Sequence, residues 1–295
     1  YNYRQPRARL LTDDKRLTAW NALMIAALAK AGHALERGDY LTAAERAMRF
    51  IETALTRPDG RLFVRWREGE AAGDGFLDDY AFVCLALLAL YDATLKTEYL
   101  EKAIECAGTM CRLFEDTQNG GFYLYAESGE RLAVRPKETY DGAMPSGNSA
   151  AGYVLARLAQ LTGETLWMER STRQMRFLAG SVIDYPSAYC FALTAAMLSL
   201  YPTCEVVIAT REPEIQNDVL RRLARLYLPN TAVLLKTPEN AAALEYLAPF
   251  TAPYPVPDSG ARIYLCRGGA CKAPFDDLDE LERRLAAITP AARPS

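Results

Sequence analysis

The chain has 295 residues, with 34 Lys and Arg against 37 Asp and Glu, giving a formal net charge of −3. Half of the residues are hydrophobic and 24% are charged, a composition typical of a globular protein that excludes a disordered chain. The absence of a basic block argues against nucleic-acid binding, and no apolar stretch reaches the ~20 residues of a membrane-spanning helix.

His33 is the single histidine. This excludes a histidine-rich metal site and any mechanism that needs two imidazoles from this chain. The seven cysteines lie mostly in apolar helical patterns, a usage typical of reduced thiols in a cytoplasmic protein. The first residues have no apolar signal sequence and no initiator Met, so we expect a fragment or a processed product of a longer protein.

Helical periodicity dominates residues 17–201, and we assign residues 1–202 to a domain of helical hairpins. Nearly continuous apolar segments alternate with amphipathic ones, a pattern typical of buried inner helices and half-exposed outer helices. The predicted helices are Leu17–Leu35, Tyr40–Leu55, Phe76–Leu95, Tyr99–Phe114, Ser146–Leu161, Leu166–Leu178 and Ser187–Leu200.

The helix pairs form an internal repeat. Residues 39–41 (DYL) match residues 98–100 (EYL) at an offset of 59, and such units bury their apolar faces only by stacking. The linkers at Leu62–Trp66 and Phe122–Tyr125 alternate like short strands. The sequence predicts part of an (α/α)6 toroid, because about seven helices fall short of the twelve in a closed ring.

Residues 203–295 read as a small α/β domain. Strands are predicted at Cys204–Thr210, Thr231–Leu235 and Ile263–Cys266 and helices at Glu214–Leu226, Glu239–Leu247 and Leu278–Ile288. Alternating strands and helices favour a largely parallel sheet. No glycine-rich nucleotide motif occurs, so no cofactor is expected. The spacing of Cys266 and Cys271 fits neither a zinc knuckle nor a C-x-x-C redox motif. We expect two reduced thiols with no metal, and the alternative is a disulfide or a regulatory thiol pair.

The chemistry is expected where the inner helices begin, because the long connections emerge there and helix N-termini favour acids and hydroxylated ligands. Carboxylates among aromatic rings suit sugars, whose rings have apolar faces and hydroxyl edges. The candidate substrate-binding residues are Asp13, Asp14, Lys15, Trp20, Asn21, Phe76, Tyr80, Arg135, Lys137, Ser146 and Asn148.

The sharpest local signal is the adjacent carboxylate pair Asp78 and Asp79. Neighbouring side chains on a helix diverge by about 100°, so only one can point along the inner face. We take Asp79 as the catalytic candidate, with Asp78 or Asp141 as its partner in general acid and base chemistry. The alternative is that Asp78 or Asp79 simply caps the helix.

Each remaining candidate also has a structural alternative. Asp13, Asp14 and Lys15 fit a solvated cap, and Ser146 fits a helix cap after a tight turn. Arg135 and Lys137 could hold an anionic substrate group, or could simply be solvated. His33 lies near the end of the first helix, where an imidazolium is favourable, and is interpreted as structural.

In combination and in order, these motifs resemble one protein family. They are Asp13-Asp14-Lys15 with Trp20-Asn21, Phe76-Leu77-Asp78-Asp79-Tyr80, Arg135-Pro136-Lys137, Asp141-Gly142, Pro145-Ser146-Gly147-Asn148 and Cys271-Lys272-Ala273-Pro274. The chain looks like the C-terminal part of a thioredoxin-domain-containing family whose animal members are called spermatogenesis-associated proteins.

The resemblance implies a longer protein with an N-terminal thioredoxin-like domain and a toroid similar to six-hairpin glycosidases and N-acylglucosamine 2-epimerases. The epimerases of this fold use two histidines, so carboxylate chemistry fits this chain better. We therefore expect a protein that binds or processes a carbohydrate. The alternative is a non-catalytic scaffold that serves the thioredoxin-like domain. The open ends of a partial ring would expose apolar helix surface, so we also expect this chain to dimerise.

Overall fold

The computed structural model describes residues 2–5, 7, 12–127, 134–268 and 270–288. Helices fill most of its first two thirds, and their bounds differ from the predicted ones by a few residues. They are α1 (Thr18–Ala34), α2 (Gly38–Ala54), α3 (Leu77–Thr94), α4 (Thr97–Phe114), α5 (Gly147–Thr162), α6 (Thr165–Val182) and α7 (Cys190–Leu200). A short 3-10 turn, Pro186–Ala188, stands where the last of these helices was predicted to begin.

The helices form two layers. Helices α1, α3, α5 and α7 pack side by side in an inner layer, and α2, α4 and α6 pair with them from outside. Nearly every residue of α3 and α5 is buried because neighbours enclose them on several sides, whereas α2 buries one face only. The predicted alternation of inner and outer helices in stacked hairpins is confirmed.

Helix α5 ends where the C-terminal part of the chain packs against it. Gly163 has a φ of +69°, the left-handed conformation that favours glycine at a helix end. A Cβ atom at this position would also meet the Phe250 ring at 3.0 Å. Glycine therefore both ends the helix and leaves room for the aromatic ring from the C-terminal part of the chain.

No helix in the described ranges has the length and apolar character needed to cross a membrane.

One of the two predicted linker strands is correct. Strands β1 (Arg16–Leu17), β2 (Phe63–Arg67) and β3 (Glu70–Asp74) form an antiparallel sheet, and Glu68 and Gly69 make the tight turn with positive φ values. The strand predicted at Phe122–Tyr125 is wrong. Phe122 makes only an isolated bridge to Glu115, because the Asn148 side chain takes its N–H and C=O groups.

The C-terminal part is a four-stranded sheet with helices. Its elements are β4 (Cys204–Thr210), α8 (Pro213–Ala224), β5 (Thr231–Lys236), α9 (Ala241–Leu247), β6 (Ala261–Arg267), β7 (Ala270–Cys271) and α10 (Leu278–Ile288). The strand order is β5-β4-β6-β7, and β4–β5 is the one parallel pair within the described residues. The expected largely parallel sheet is therefore wrong: α8 provides a parallel crossover, but the chain after α9 returns antiparallel. The division into domains at residues 202 and 203 stays a prediction.

Cys266 and Cys271 form a disulfide, which corrects the expectation of two reduced thiols. The two residues lie directly opposite each other in the β6–β7 pair. The spacing of four residues is that of a tight hairpin, so antiparallel pairing brings the two sulfur atoms together. The cysteines at 84, 106, 111, 190 and 204 are free.

Candidate functional site

The inner helices begin at one end of the molecule, and three aspartates link their first turns. Asp79 lies in the first turn of α3, where its Oδ2 accepts a hydrogen bond from the Phe76 N–H at 2.8 Å. Its Oδ1 accepts one from the Ala19 N–H of α1 at 2.9 Å. Both oxygens thus satisfy backbone donors that helix starts leave unpaired.

Asp141 makes the equivalent link between α5 and α7. Its Oδ1 accepts from the Ser146 N–H at 2.8 Å, directly before α5. Its Oδ2 accepts from the N–H groups of Phe191 and Ala192 at 2.8 and 3.1 Å, in the first turn of α7. The carboxylate therefore has a capping function in this structure, and a catalytic function stays a prediction.

Asp78 lies in the first turn of α3, and its side chain faces the start of α5. It is half-buried, and a Cβ atom on Gly147 would collide with its Oδ1 and with Leu77. The Gly147 N–H, at the start of α5, hydrogen-bonds the carboxylate. Among the described residues Asp78 has no second hydrogen bond of this kind, so it is less committed to capping than Asp79 or Asp141.

Burial makes both adjacent carboxyl groups weaker acids. It raises the pKa of Asp79 to about 7, against the opposing effect of the Phe76 and Ala19 N–H groups. Burial also raises the pKa of Asp78, with a further contribution from the negative charge of Glu138. A carboxyl group that keeps its proton closer to neutral pH can act as a general acid.

Glu138 is the residue that sequence reasoning missed. It is exposed in the connection before α5 and acts on the pKa of Asp78. It directly follows Lys137, so its place in a charged segment of the connection was the one sequence feature that could have pointed to it.

No group of three or more His, Cys, Asp or Glu side chains that could hold a metal ion occurs in the described ranges.

Two of the predicted aromatic residues are accessible at this end, and one is not. Phe76 is partly exposed and meets the Tyr125 ring edge-on at 5.3 Å. Trp20 is 60% exposed on α1. The prediction that Tyr80 contacts substrate is corrected, because Tyr80 is only 1% exposed. Its hydroxyl accepts a hydrogen bond from the Leu62 N–H inside the core. Burial raises the Tyr80 pKa to about 12.

Ser146 and Asn148 organise the start of α5. The Ser146 Oγ accepts from the Ser149 N–H at 3.1 Å, a conventional helix cap. Asn148 is fully buried and holds Phe122 and the Glu138 carbonyl with its amide. This corrects the prediction that the Asn148 side chain contacts substrate, because it has no exposed surface.

The predicted cations already have partners within the protein. The Lys137 Nζ donates to Asp116 Oδ2 and to the Gly120 carbonyl, both at 2.7 Å. This Lys137 hydrogen bond holds the pKa of Asp116 well below its usual range. Arg135 donates to the Tyr125 carbonyl and lies over the Tyr123 ring. For Lys137 this corrects the prediction of a free cation for an anionic substrate.

The other predicted polar residues lie near the start of α1. Lys15 pairs with Asp13, and Asp14 pairs with Arg67 at 2.7 Å. The Asn21 amide donates to the Leu17 carbonyl at 2.7 Å. These contacts fit the solvated cap that the sequence allowed, and substrate binding by these residues stays a prediction.

His33 faces a small cavity of about 170 Å³ near the other end of α1, together with Asp92 and Arg157. Burial lowers the His33 pKa, although the Asp92 charge opposes this effect. The imidazolium expected from the helix end is therefore disfavoured.

Sequence comparison relates the chain to spermatogenesis-associated protein 20. It is 29% identical to the rat protein over 95% of the chain and 28% identical to the human protein over 97%. It spans about 37–38% of the length of these relatives and corresponds to their C-terminal part. The resemblance seen in the motifs is confirmed. No family model matches the chain.

Structural comparison shows the fold. The GH76 α-mannanase BT2949 of Bacteroides thetaiotaomicron aligns with 72% of the chain and 57% of its own, at a TM-score of 0.51 and 14% sequence identity. Cellobiose 2-epimerase from Bacillus thermoamylovorans aligns with 57% of the chain and 45% of its own, at a TM-score of 0.48 and 14% identity. The chain is mainly helical and forms part of an (α/α)6 toroid, as predicted.

Proposed function

We propose that the chain binds a carbohydrate where α1, α3, α5 and α7 begin, and that Asp78 is the carboxyl group that acts on it. The proposal is based on one observation: the three aspartates differ in how many backbone N–H groups donate hydrogen bonds to their carboxylates. Asp79 and Asp141 give both oxygens to backbone N–H groups, whereas Asp78 has one such bond among the described residues. These contacts favour Asp78 over Asp79, the residue expected from sequence.

The end of the molecule where the inner helices begin carries groups that suit a sugar. Phe76 and Trp20 offer aromatic faces for the apolar side of a pyranose ring, and the carboxylates offer acceptors for its hydroxyl groups. In glycoside cleavage, one carboxylic acid protonates the leaving oxygen and a second carboxylate acts as base or nucleophile. The raised pKa of Asp78 suits the acid, and exposed Glu138 is the proposed second carboxylate. The relation in fold to an α-mannanase supports a carbohydrate as the ligand class.

A second candidate function is a binding scaffold without catalysis. The capping bonds of Asp79 and Asp141 favour it, because they give these carboxylates a purely structural explanation. In this proposal the toroid presents a ligand or a partner to a thioredoxin-like domain elsewhere in a longer protein. The greater length of the relatives supports such additional parts, including further toroid hairpins.

The test is a panel of mannose- and glucose-based oligosaccharides, with binding followed by calorimetry and cleavage followed by the release of reducing ends. The variants are Asp78→Asn and Glu138→Gln, with Glu101→Gln on the exposed surface of α4 as the matched control. For an enzyme, Asp78→Asn should lower turnover by about 100-fold or more and leave affinity nearly unchanged. The control should behave as the wild type.

The two candidate functions give different results in this assay. Binding without cleavage, weakened by Phe76→Ala, would support the scaffold. Cleavage that survives Asp78→Asn would contradict the assignment of Asp78, and failure of every sugar to bind would contradict the carbohydrate proposal.

A further inference from the structure

A cleft of about 580 Å³ separates the helical layers from the C-terminal sheet. Ala159 of α5 and Met168 of α6 line one wall, and Glu205 and Tyr254 line the other. The Cys266–Cys271 disulfide also faces this cleft. A redox-capable bond thus lies at the wall of a cavity large enough for a small molecule or a protruding peptide loop.

The two cysteines of the disulfide differ in exposure. Cys271 is exposed on β7, at the edge of the sheet, while Cys266 is buried on β6. The hairpin also has backbone support, because the Lys272 N–H donates to the Leu265 carbonyl at 3.0 Å. The disulfide encloses a short loop and adds a cross-link to strands that backbone bonds already hold, so we expect this pairing to persist when the disulfide opens.

Tyr254 places a hydroxyl group beside both sulfur atoms. Its Oη lies 3.6 Å from the Cys271 Sγ and 3.9 Å from the Cys266 Sγ. The Tyr254 ring stacks on Tyr264 with ring centres 4.1 Å apart, which fixes the hydroxyl in position. A hydroxyl at this place can donate a hydrogen bond to a thiolate that forms when the disulfide opens.

We propose that Cys266–Cys271 is an exchangeable disulfide that accepts two electrons from a dithiol entering the cleft. One thiolate of the dithiol attacks the Sγ of Cys271, the more exposed cysteine of the pair, forming a mixed disulfide and breaking the bond to Cys266. Cys266 leaves as a thiolate, accepts a hydrogen bond from Tyr254 and takes up a proton from the solvent. The second thiol of the dithiol, after losing its proton, attacks the mixed disulfide and releases Cys271. The dithiol leaves as a disulfide, and both cysteines are reduced.

The neighbouring free cysteine does not take part in this exchange. Cys204 lies on the adjacent strand β4, but Glu205, not Cys204, is paired with Cys266. Cys204 therefore points to the opposite face of the sheet from the cleft. It is buried, and burial raises its pKa to about 11, so it remains a protonated thiol.

The test is alkylation of the native chain with iodoacetamide after treatment with dithiothreitol, read by peptide mass spectrometry. Exposed Cys190 is an internal standard that should react without reductant. Cys266 and Cys271 should react only after dithiothreitol, while buried Cys84, Cys111 and Cys204 stay unmodified and the helical circular dichroism is retained. Tyr254→Phe, which keeps the ring, should slow reduction about 3- to 10-fold. Tyr246→Phe, with an exposed hydroxyl on α9, should change the rate less than about twofold.

Three results would overturn the proposal: alkylation of Cys266 and Cys271 without reductant, reduction only together with exposure of the buried cysteines, or loss of the fold on reduction. An unchanged rate in Tyr254→Phe would overturn the proposed action of its hydroxyl.

A parallel reaction with reduced thioredoxin distinguishes a protein dithiol from a small-molecule dithiol. A rate at least tenfold above that of dithiothreitol at equal concentration assigns a protein dithiol, and similar rates assign a small molecule.

Discussion

The Asp79 carboxylate accepts a hydrogen bond from the Ala19 N–H at 2.9 Å, across 60 residues of sequence. The same carboxylate accepts from Phe76 in its own helix start, so one side chain ties the first turns of α1 and α3 together. Because helix starts leave backbone donors unpaired, a buried acceptor shared by two helices fixes their relative position. This contact holds together the end of the molecule that carries the candidate site.

The pH dependence of stability should depend on Asp79. Its pKa is raised from 3.8 to about 7 on folding, so the folded protein binds this proton more tightly than the unfolded chain does. The resulting stabilisation is fully present below pH 3.8 and is lost as the pH rises through about 7. Between about pH 4 and pH 8 the wild type should lose on the order of 1–4 kcal/mol relative to Asp79→Asn.

Urea unfolding at several pH values measures this difference. The substitution also removes one hydrogen-bond acceptor, which lowers the stability of the variant by a constant amount and leaves the slope to report the titration. Glu101→Gln on the surface of α4 keeps Asp79 and should follow the wild type. Parallel pH profiles for the wild type and Asp79→Asn would contradict the raised pKa.

Asn148→Ala should destabilise the chain by about 2–4 kcal/mol in urea unfolding. The Asn148 amide is fully buried and donates to the Phe122 and Glu138 carbonyls while accepting from the Phe122 N–H, so its removal leaves several buried groups without partners. The control Asn21→Ala removes one bond to the Leu17 carbonyl and should lower stability by about 1 kcal/mol or less. Equal effects of the two substitutions would contradict the proposed anchoring of the connection by Asn148.

Gly147→Ala and Gly108→Ala should change stability in opposite directions. A Cβ on Gly147 would collide with Asp78 and Leu77, so we expect a loss of about 1–3 kcal/mol and a displacement of the Asp78 carboxylate. A Cβ on Gly108 in α4 meets nothing within 4 Å, and alanine there should add about 0.5–1 kcal/mol. Thermal and urea unfolding measure both. A stabilising Gly147→Ala would show that Asp78 moves away freely.

The inner layer ends in exposed apolar surface at both sides, so this chain should associate with itself. Trp20 and Met24 are exposed one turn apart on α1, and Leu193 and Met197 are exposed one turn apart on α7. Sedimentation velocity should show a concentration-dependent dimer or larger species, and Trp20→Arg combined with Met24→Glu should weaken it. A monomer at every concentration would contradict this prediction. The control Tyr246→Ser changes an exposed aromatic residue on α9 and should leave association unchanged.

The sequence predicted the helical architecture well because each helix carries its own pattern. The apolar segment that became α3 and the amphipathic one that became α4 differ in how many sides are buried, and hydrophobic periodicity reports this burial directly. The strand at Phe122–Tyr125 was predicted from alternation alone and is wrong. Its backbone groups pair with Asn148, 26 residues later, and no local pattern reports such a partner.

The sequence by itself determined the set of candidate acids, since Asp78, Asp79 and Asp141 stand out at the starts of predicted inner helices. Only the tertiary structure decided how each is used. Whether a carboxylate caps a helix or remains available depends on which N–H groups the neighbouring helices bring to it, and those donors lie 50 to 60 residues away for Asp141 and Asp79. The Cys266–Cys271 disulfide likewise depends on the pairing of β6 with β7, and its position beside Tyr254 depends on how the loop before β6 folds back onto that hairpin.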